Sequence, residues 1–210
     1  MINNAGIMNS PMGVSSDGVE MQFAVNHLGP FTLTSLLLDT LKATPDSQIQ
    51  FLVNLDYRKG EIHFEDLNLE KSFDKVKAFN QSQLANMMLV SELSSQLKDS
   101  SVSVNAIYPG VCNTDIKRHM GVDKSVTAYF IANPMLWFVT KSAEDGAQTS
   151  IYLLTENNDI KSTGKLYSNF KEIPIDDIAK NVARNKKLVA IDRYWSGLAS
   201  SKLESISYSA

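Results

Sequence analysis

The stretch Gln48-Ile49-Gln50-Phe51-Leu52-Val53-Asn54-Leu55 decides the fold class of this 210-residue chain. It is short, mostly apolar and followed by the polar run 56–60, which is the pattern of a strand buried inside a sheet. Before it, apolar residues recur at helical spacing from Met21 to Leu41, and we expect Ser16 or Asp17 to cap that helix. A helix followed by a buried strand is typical of α/β proteins.

The same alternation continues after this strand. The sequence predicts a long helix over 78–98, a strand over 101–108 that Pro109-Gly110 ends, a helix over 143–154, a short strand over 164–168 and a polar helix over 175–188. Strands and helices in turn predict an α/β fold with a mostly parallel sheet. We expect residues 1–197 to form one domain and the Ser-rich residues 198–210 to be a disordered tail.

Composition narrows the classes of partner. The net charge is −3 and no run of Lys and Arg is longer than Lys186-Lys187, so nucleic acid is not an expected partner. The single cysteine, Cys112, cannot form an intramolecular disulfide, which favours an intracellular, cytoplasmic location and leaves peripheral membrane association open. The apolar run 130–139 is too short to span a bilayer, so no transmembrane segment is expected. The three histidines lack metal-ligand spacing, so no metal site is expected; they are His27, His63 and His119.

Three short motifs follow one another along the chain: Asn3-Asn4-Ala5-Gly6, Asn26-His27-Leu28-Gly29, and Pro109-Gly110 with Thr114. In this order they resemble the short-chain dehydrogenase/reductase family. Further stretches resemble its retinol dehydrogenase branch, at 17–23, 62–67, 82–86, 145–149 and 164–167. The resemblance extends from Met1 to about Leu188. It implies a Rossmann-type, doubly wound parallel sheet, the cofactor NAD(P), and lipophilic carbonyl or alcohol substrates such as retinoids.

The resemblance also implies roles for the motif residues. The cofactor-binding residues would be Asn3, Asn4, Ala5, Gly6, Pro109, Gly110 and Thr114. Asn26 would bend its helix and hold a water of the proton relay. Structural interpretations compete with these roles, because Gly6 suits a tight turn, Asn26 can be a hydrogen-bonded buried residue, and Pro109-Gly110 ends a strand on ordinary grounds.

The chain departs from the family where the proton is transferred. In the family a Tyr donates the proton, and a Lys four positions later lowers the pKa of that phenol and holds the cofactor ribose. Here those positions are Phe79, which has no exchangeable proton, and Gln83, which has no charge. The family's Ser is also missing after Asn54, and substitution by Tyr57 with Lys59 is not expected because they lie on a different element. We therefore expect a catalytically impaired or inactive relative.

A second departure is that no Gly-rich turn precedes Asn3. The sequence therefore predicts a partial sheet that lacks the first strands of the fold, with weak NAD(P) binding and an unpaired apolar edge. Two interpretations stay open: a natural half-fold, or a longer protein in which Met1 is internal.

Two non-catalytic alternatives remain. One is a binding or regulatory protein that associates with other proteins through residues 29–41 and 84–97 of its long helices. A homo-oligomer would be one such association. The other is lipid binding through residues 129–139, which border the substrate entrance in the family.

Overall fold

A computed structural model describes residues 1–112, 114, 116, 140–155 and 162–199. Within these, five strands form one sheet in the order β1-β2-β3-β4-β5. They are β1 (Ile2–Asn3), β2 (Gln48–Leu52), β3 (Ser103–Ile107), β4 (Leu166–Ser168) and β5 (Lys171–Ile173). The first four strands pair in parallel and β5 pairs antiparallel to β4. The predicted α/β class and mostly parallel sheet are confirmed.

The described helices connect and cover these strands. They are α1 (Met21–Phe23), α2 (Gly29–Ala43), α3 (Lys75–Gln96), α4 (Ala143–Thr155) and α5 (Val182–Trp195). A π-helical segment, Ala24–Leu28, joins α1 to α2. None of the described helices is long and apolar enough to cross a membrane. The apolar run 130–139 and His119 lie outside the described residues.

The start of the first helix differs from the prediction. Ser16 and Asp17 lie in a turn before it, and Glu20 caps the helix. The Glu20 carboxylate accepts hydrogen bonds from the backbone N–H groups of Gln22, at 3.0 Å, and Phe23, at 2.8 Å. Burial of this carboxylate raises the pKa of Glu20, and the two backbone hydrogen bonds partly oppose that shift. The cap was missed because an acidic residue inside an apolar run does not stand out as a helix start.

The last helix also differs. The prediction of one polar helix over 175–188 was wrong: a short 3-10 turn, Asp177–Ala179, is followed by α5, which Asn181 caps through the N–H of Arg184. α5 contacts α3 and α2. It buries apolar side chains against them, among them Leu188 at 0% exposure. Leu198 still packs against the core, and residues 200–210 of the Ser-rich tail lie outside the described residues.

The two faces of the sheet carry different helices because side chains alternate along a strand. Ile49 and Phe51 of β2 belong to the same buried cluster as the apolar side chains of α3. Between them, Gln50 points to the other face and donates from Nε2 to the carbonyl of Ser150 in α4, at 3.3 Å. The sheet is therefore enclosed by α3 on one face and by α4 on the other.

Gly60 tests how tightly α3 packs on the loop that follows β2. A Cβ atom added at Gly60 would lie 2.5 Å from the carbonyl oxygen of Asn80 and 2.9 Å from Cβ of Leu84. We expect Gly60→Ala to lower the free energy of unfolding by about 1–3 kcal/mol, because a helix backbone cannot yield as a flexible side chain does. Denaturant unfolding measures this. Gly13→Ala is the control, since the nearest atom there is the carbonyl oxygen of Pro11 at 4.0 Å. Equal stability of the two variants would contradict the packing described.

Candidate functional site

A cavity of about 1160 Å³ opens where β1, β2 and β3 end at their carboxyl edges. Its walls are the residues that follow these strands, together with residues of α3 and α4. Open parallel sheets bind ligands at this edge, because neighbouring connections diverge there and leave a crevice. The position of the cavity therefore makes it the candidate functional site.

Most of the residues implied as cofactor contacts line this cavity. They are Asn4, Ala5, Gly6, Pro109, Gly110 and Thr114. Asn3 is placed differently. Its side chain is buried on the α2 face of the sheet and donates from Nδ2 to Oγ1 of Thr34, at 3.2 Å. The structure thus gives Asn3 a hydrogen bond to α2 and no place in the cavity wall.

Lys141 is a residue of this region that the sequence did not single out. Its Nζ donates to the carbonyl of Pro109, at 3.2 Å, and to Oδ1 of Asn169, at 2.6 Å. Its side chain also lies against Gly110, where a Cβ would be 3.3 Å from Cδ and Cε and where φ is +93°. Lys141 therefore ties the turn after β3 to the β4–β5 hairpin, a role that depends on a contact between distant segments.

Asn26 lies in the π-helical segment and lines the cavity. Its Oδ1 accepts from the N–H of Ile7, at 2.8 Å, and its Nδ2 donates to the carbonyl of Ile7 and to Oγ of Ser82, both at 2.9 Å. Pro30 has no N–H and so cannot donate to the carbonyl of Asn26 four residues earlier. Asn86 donates to that carbonyl from Nδ2 instead, at 2.9 Å. Asn26 thereby joins the loop after β1 to α3.

Phe79 and Gln83 both lie on α3 and line the cavity, with side chains that are nearly buried. Gln83 accepts from the backbone N–H of Asn54 through Oε1, at 2.8 Å. Its Nε2 donates to Oγ of Ser82, at 3.4 Å. The two positions where the family resemblance implies a phenol and an ammonium thus hold a hydrocarbon ring and a neutral amide that is anchored to the end of β2.

Tyr57 and Lys59 do not come together at the cavity. Tyr57 is fully buried, is not part of the cavity wall, and accepts at its hydroxyl oxygen from the N–H of Asp176, at 2.9 Å. Lys59 is exposed and pairs with Asp56 at 2.8 Å, which raises the pKa of Lys59. The geometry therefore offers no replacement for the missing pair from these two residues.

A different phenol lines the cavity, that of Tyr108 at the end of β3. Desolvation raises the pKa of Tyr108, and the nearby charges of Asp56 and Cys112 raise it further. The phenol therefore stays protonated at neutral pH and is a weaker acid than an exposed tyrosine. The sequence could have indicated this residue, because it directly precedes Pro109-Gly110 and therefore lies at the carboxyl edge of the predicted strand.

These features define a class of protein: an α/β fold with a parallel sheet and a ligand cavity at its carboxyl edge. A family model described as short chain dehydrogenase matches residues 1–125. The chain belongs to the short-chain dehydrogenase family.

The curated relatives include human retinol dehydrogenase 13, which is 39% identical over 200 residues, and human retinol dehydrogenase 14, 38% identical over 198 residues. These alignments cover 91% and 94% of this chain but 60% and 58% of the two relatives. The chain thus spans about three fifths of their length.

Two solved structures are similar in fold. An uncharacterised protein from Mycobacterium paratuberculosis superposes with a TM-score of 0.71 at 26% identity, covering 93% of this chain and 66% of that one. 4-Hydroxyisoleucine dehydrogenase complexed with NADH superposes with a TM-score of 0.57 at 20% identity, covering 79% and 64%. The second likeness is one of fold alone.

Gln83→Met tests whether the amide of Gln83 supports the end of β2. Removing Oε1 leaves the N–H of Asn54 without its acceptor, so we expect the free energy of unfolding to fall by about 1–3 kcal/mol. Gln96→Met is the control in the same helix: it makes the same change at an exposed position, where the amide donates to Glu92 and accepts from no backbone N–H of the described residues. Chemical denaturation of the wild type and both variants measures the difference. A Gln83→Met variant as stable as the wild type would show that the hydrogen bond to Asn54 contributes nothing.

Proposed function

We propose that this chain is a retinol dehydrogenase-like protein whose cavity takes a lipophilic carbonyl or alcohol but interconverts them slowly or not at all. The observation that supports this most strongly is the pair Phe79 and Gln83 in the cavity wall. The similarity to retinol dehydrogenases 13 and 14 supports the class of ligand.

The residues present fit part of a nicotinamide cofactor. A Cβ at Gly6 would lie in contact with Oδ1 of Asn26, at 3.4 Å, so the glycine keeps that contact position of the cavity wall free of a side chain. Asn4, Ala5, Pro109 and Gly110 also line the cavity, and Thr114 lines it as an exposed residue. When bound, NAD(P) would supply or accept the hydride. Gln83 offers no charge to the cofactor ribose and its oxygen is already hydrogen-bonded to Asn54, so we propose weak binding.

Proton delivery is the step that the described residues serve poorly. A carbonyl that receives hydride needs a proton at its oxygen, and a correctly placed general acid contributes on the order of 10² to 10⁴ in rate. Phe79 has no such proton. The phenol of Tyr108 lies at the end of β3 and not on α3. Its raised pKa makes it a weaker proton donor than an exposed tyrosine. We therefore infer a rate reduced by at least the contribution of the missing acid.

The alternative is a non-catalytic protein that associates through its helices. In favour of it, α2 exposes three leucines, Leu33, Leu36 and Leu37, at 51%, 64% and 41%. Residues 84–97 support it less, because Leu84, Leu93 and Leu97 are buried. A surface on α2 alone would carry the association.

A single domain over 1–197 and an intracellular location remain our proposals.

A turnover assay with reversal variants tests the proposed function. With retinal and either NADH or NADPH, we expect the wild-type chain to form no more retinol than the protein-free blank, as measured by chromatography. The double variant Phe79→Tyr/Gln83→Lys should exceed that blank by about tenfold or more, because it places a phenol and an ammonium in the cavity wall. Phe64→Tyr/Gln96→Lys is the matched control, since it makes the same changes outside the cavity.

Wild-type turnover close to that of human retinol dehydrogenase 13 in the same assay would refute the impaired-enzyme proposal.

Light scattering on the same samples tests the alternative, association through α2. A wild-type dimer that Leu36→Lys converts to monomer would support association through α2, and a wild-type monomer with no bound protein would argue against it.

A further inference from the structure

A continuous path of buried hydrogen bonds joins α5 to the π-helical segment beside the cavity. Oδ2 of Asp192, in α5, lies 2.9 Å from Nε2 of His27, and Nδ1 of His27 lies 3.0 Å from Oδ1 of Asn86. Asn86 then donates from Nδ2 to the carbonyl of Asn26, at 2.9 Å. Asp192 and His27 are fully buried and Asn86 is 3% exposed. The path therefore runs through the protein interior from the last described helix to the cavity wall.

The orientation of each group in this path follows from its partners. Nδ2 of Asn86 faces a backbone carbonyl, so its Oδ1 faces His27 and accepts from Nδ1–H. The other ring nitrogen of His27 is bonded to a carboxylate oxygen of Asp192. The imidazole is thus held at both nitrogens. α5 also contacts the π-helical segment through packed rings. The ring centroid of Trp195 lies 6.0 Å from that of Phe23, and the ring centroid of Phe23 lies 4.9 Å from that of His27.

A contribution to stability does not by itself explain a buried carboxylate at Asp192. Its second oxygen, Oδ1, is buried and has no hydrogen-bond partner among the described residues. A buried carboxylate with an unpaired oxygen costs free energy, and apolar residues of similar volume often replace such ion pairs without loss of stability. The hydrogen bond of Asp192 to Nε2 of His27 is what accounts for a carboxylate at this point.

Asn26 is the end of the path that meets the cavity. Its side-chain amide holds both the N–H and the carbonyl of Ile7, next to Gly6, so a shift of Asn26 moves the loop after β1. π-Helical turns are strained insertions that depend on their surroundings and often occur at functional sites. Asn86 holds the carbonyl of Asn26 and is itself hydrogen-bonded to His27. Asp192 holds the other nitrogen of His27.

We propose that Asp192 is a positioning residue: through His27 and Asn86 it fixes the π-helical segment and, with it, Asn26 and the cavity wall at Gly6 and Ile7. α5 is then part of the support of the cavity, although it contributes no residue to its wall. A contact that displaces α5 changes the shape of the site. This holds whether the cavity turns over a substrate or only binds one.

Hydrogen exchange at the amide of Ile7 tests the proposal, because that N–H is bonded to Asn26 Oδ1 at 2.8 Å. Asp192→Leu removes the carboxylate and keeps the branched shape of the side chain. We expect it to lower the protection of Ile7 by about tenfold or more relative to the amide of Ala106, which lies within the sheet. Asp192→Asn can still bond to Nε2 of His27, so protection at Ile7 should remain within about threefold of wild type.

Leu188→Ala is the control, since it loosens α5 without touching the path. It should lower protection at Ile7 and Ala106 together. If Asp192→Leu does the same, with no selective loss at Ile7, Asp192 is a packing residue and the proposal fails. A measurement on the wild type covers the case in which the leucine variant does not fold: the ring of His27 must carry a proton on Nδ1. A ring protonated on Nε2 alone would break the path and overturn the proposal.

Discussion

The site depends on one constraint: residues 78–90 of α3 are all buried, yet the helix is rich there in amides that satisfy the backbone of the surrounding segments. Gln81 accepts from the N–H of His63 and donates to the carbonyl of Leu67, both at 2.9 Å. Gln83 accepts from Asn54, and Asn86 donates to Asn26. Buried backbone groups need partners, and these groups lie outside the strands and α-helices of the fold. The helix therefore fixes the shape of the cavity wall.

This constraint gives Gln83 a structural task at the position where the family resemblance implies a charged residue. An amide offers an acceptor to the end of β2 at little desolvation cost, whereas an ammonium in the same place would need a carboxylate or several acceptors. Under the proposed function, this amide holds the end of β2 in place in a site that lacks the groups for proton transfer. A fold of this family survives such a change because its stability comes from burial, not from the reacting groups.

The sequence was informative where the evidence is local. Periodicity located β2, β3, β4 and the long helices, and the family resemblance singled out Phe79 and Gln83, which lie in one cavity wall. It failed where distant segments meet. Nothing near Asp192 shows that it pairs with His27, 165 residues earlier, and nothing near Asn3 shows that its amide turns towards Thr34. The bounds of α5 were placed about seven residues too early, at 175–188 instead of Val182–Trp195, because its buried face is covered by α3, a contact that propensity does not register.

Transfer of deuterium is the most direct measurement of whether the site has lost its chemistry. The purified chain, in excess over retinal, would be incubated with NADPH and with NADH, each deuterated at the reducing carbon, and the retinol formed would be analysed by mass spectrometry. We expect no label above the protein-free control after several hours, because Phe79 has no exchangeable proton and the pKa of Tyr108 is raised. Conversion of all the retinal to labelled retinol within minutes would contradict this expectation.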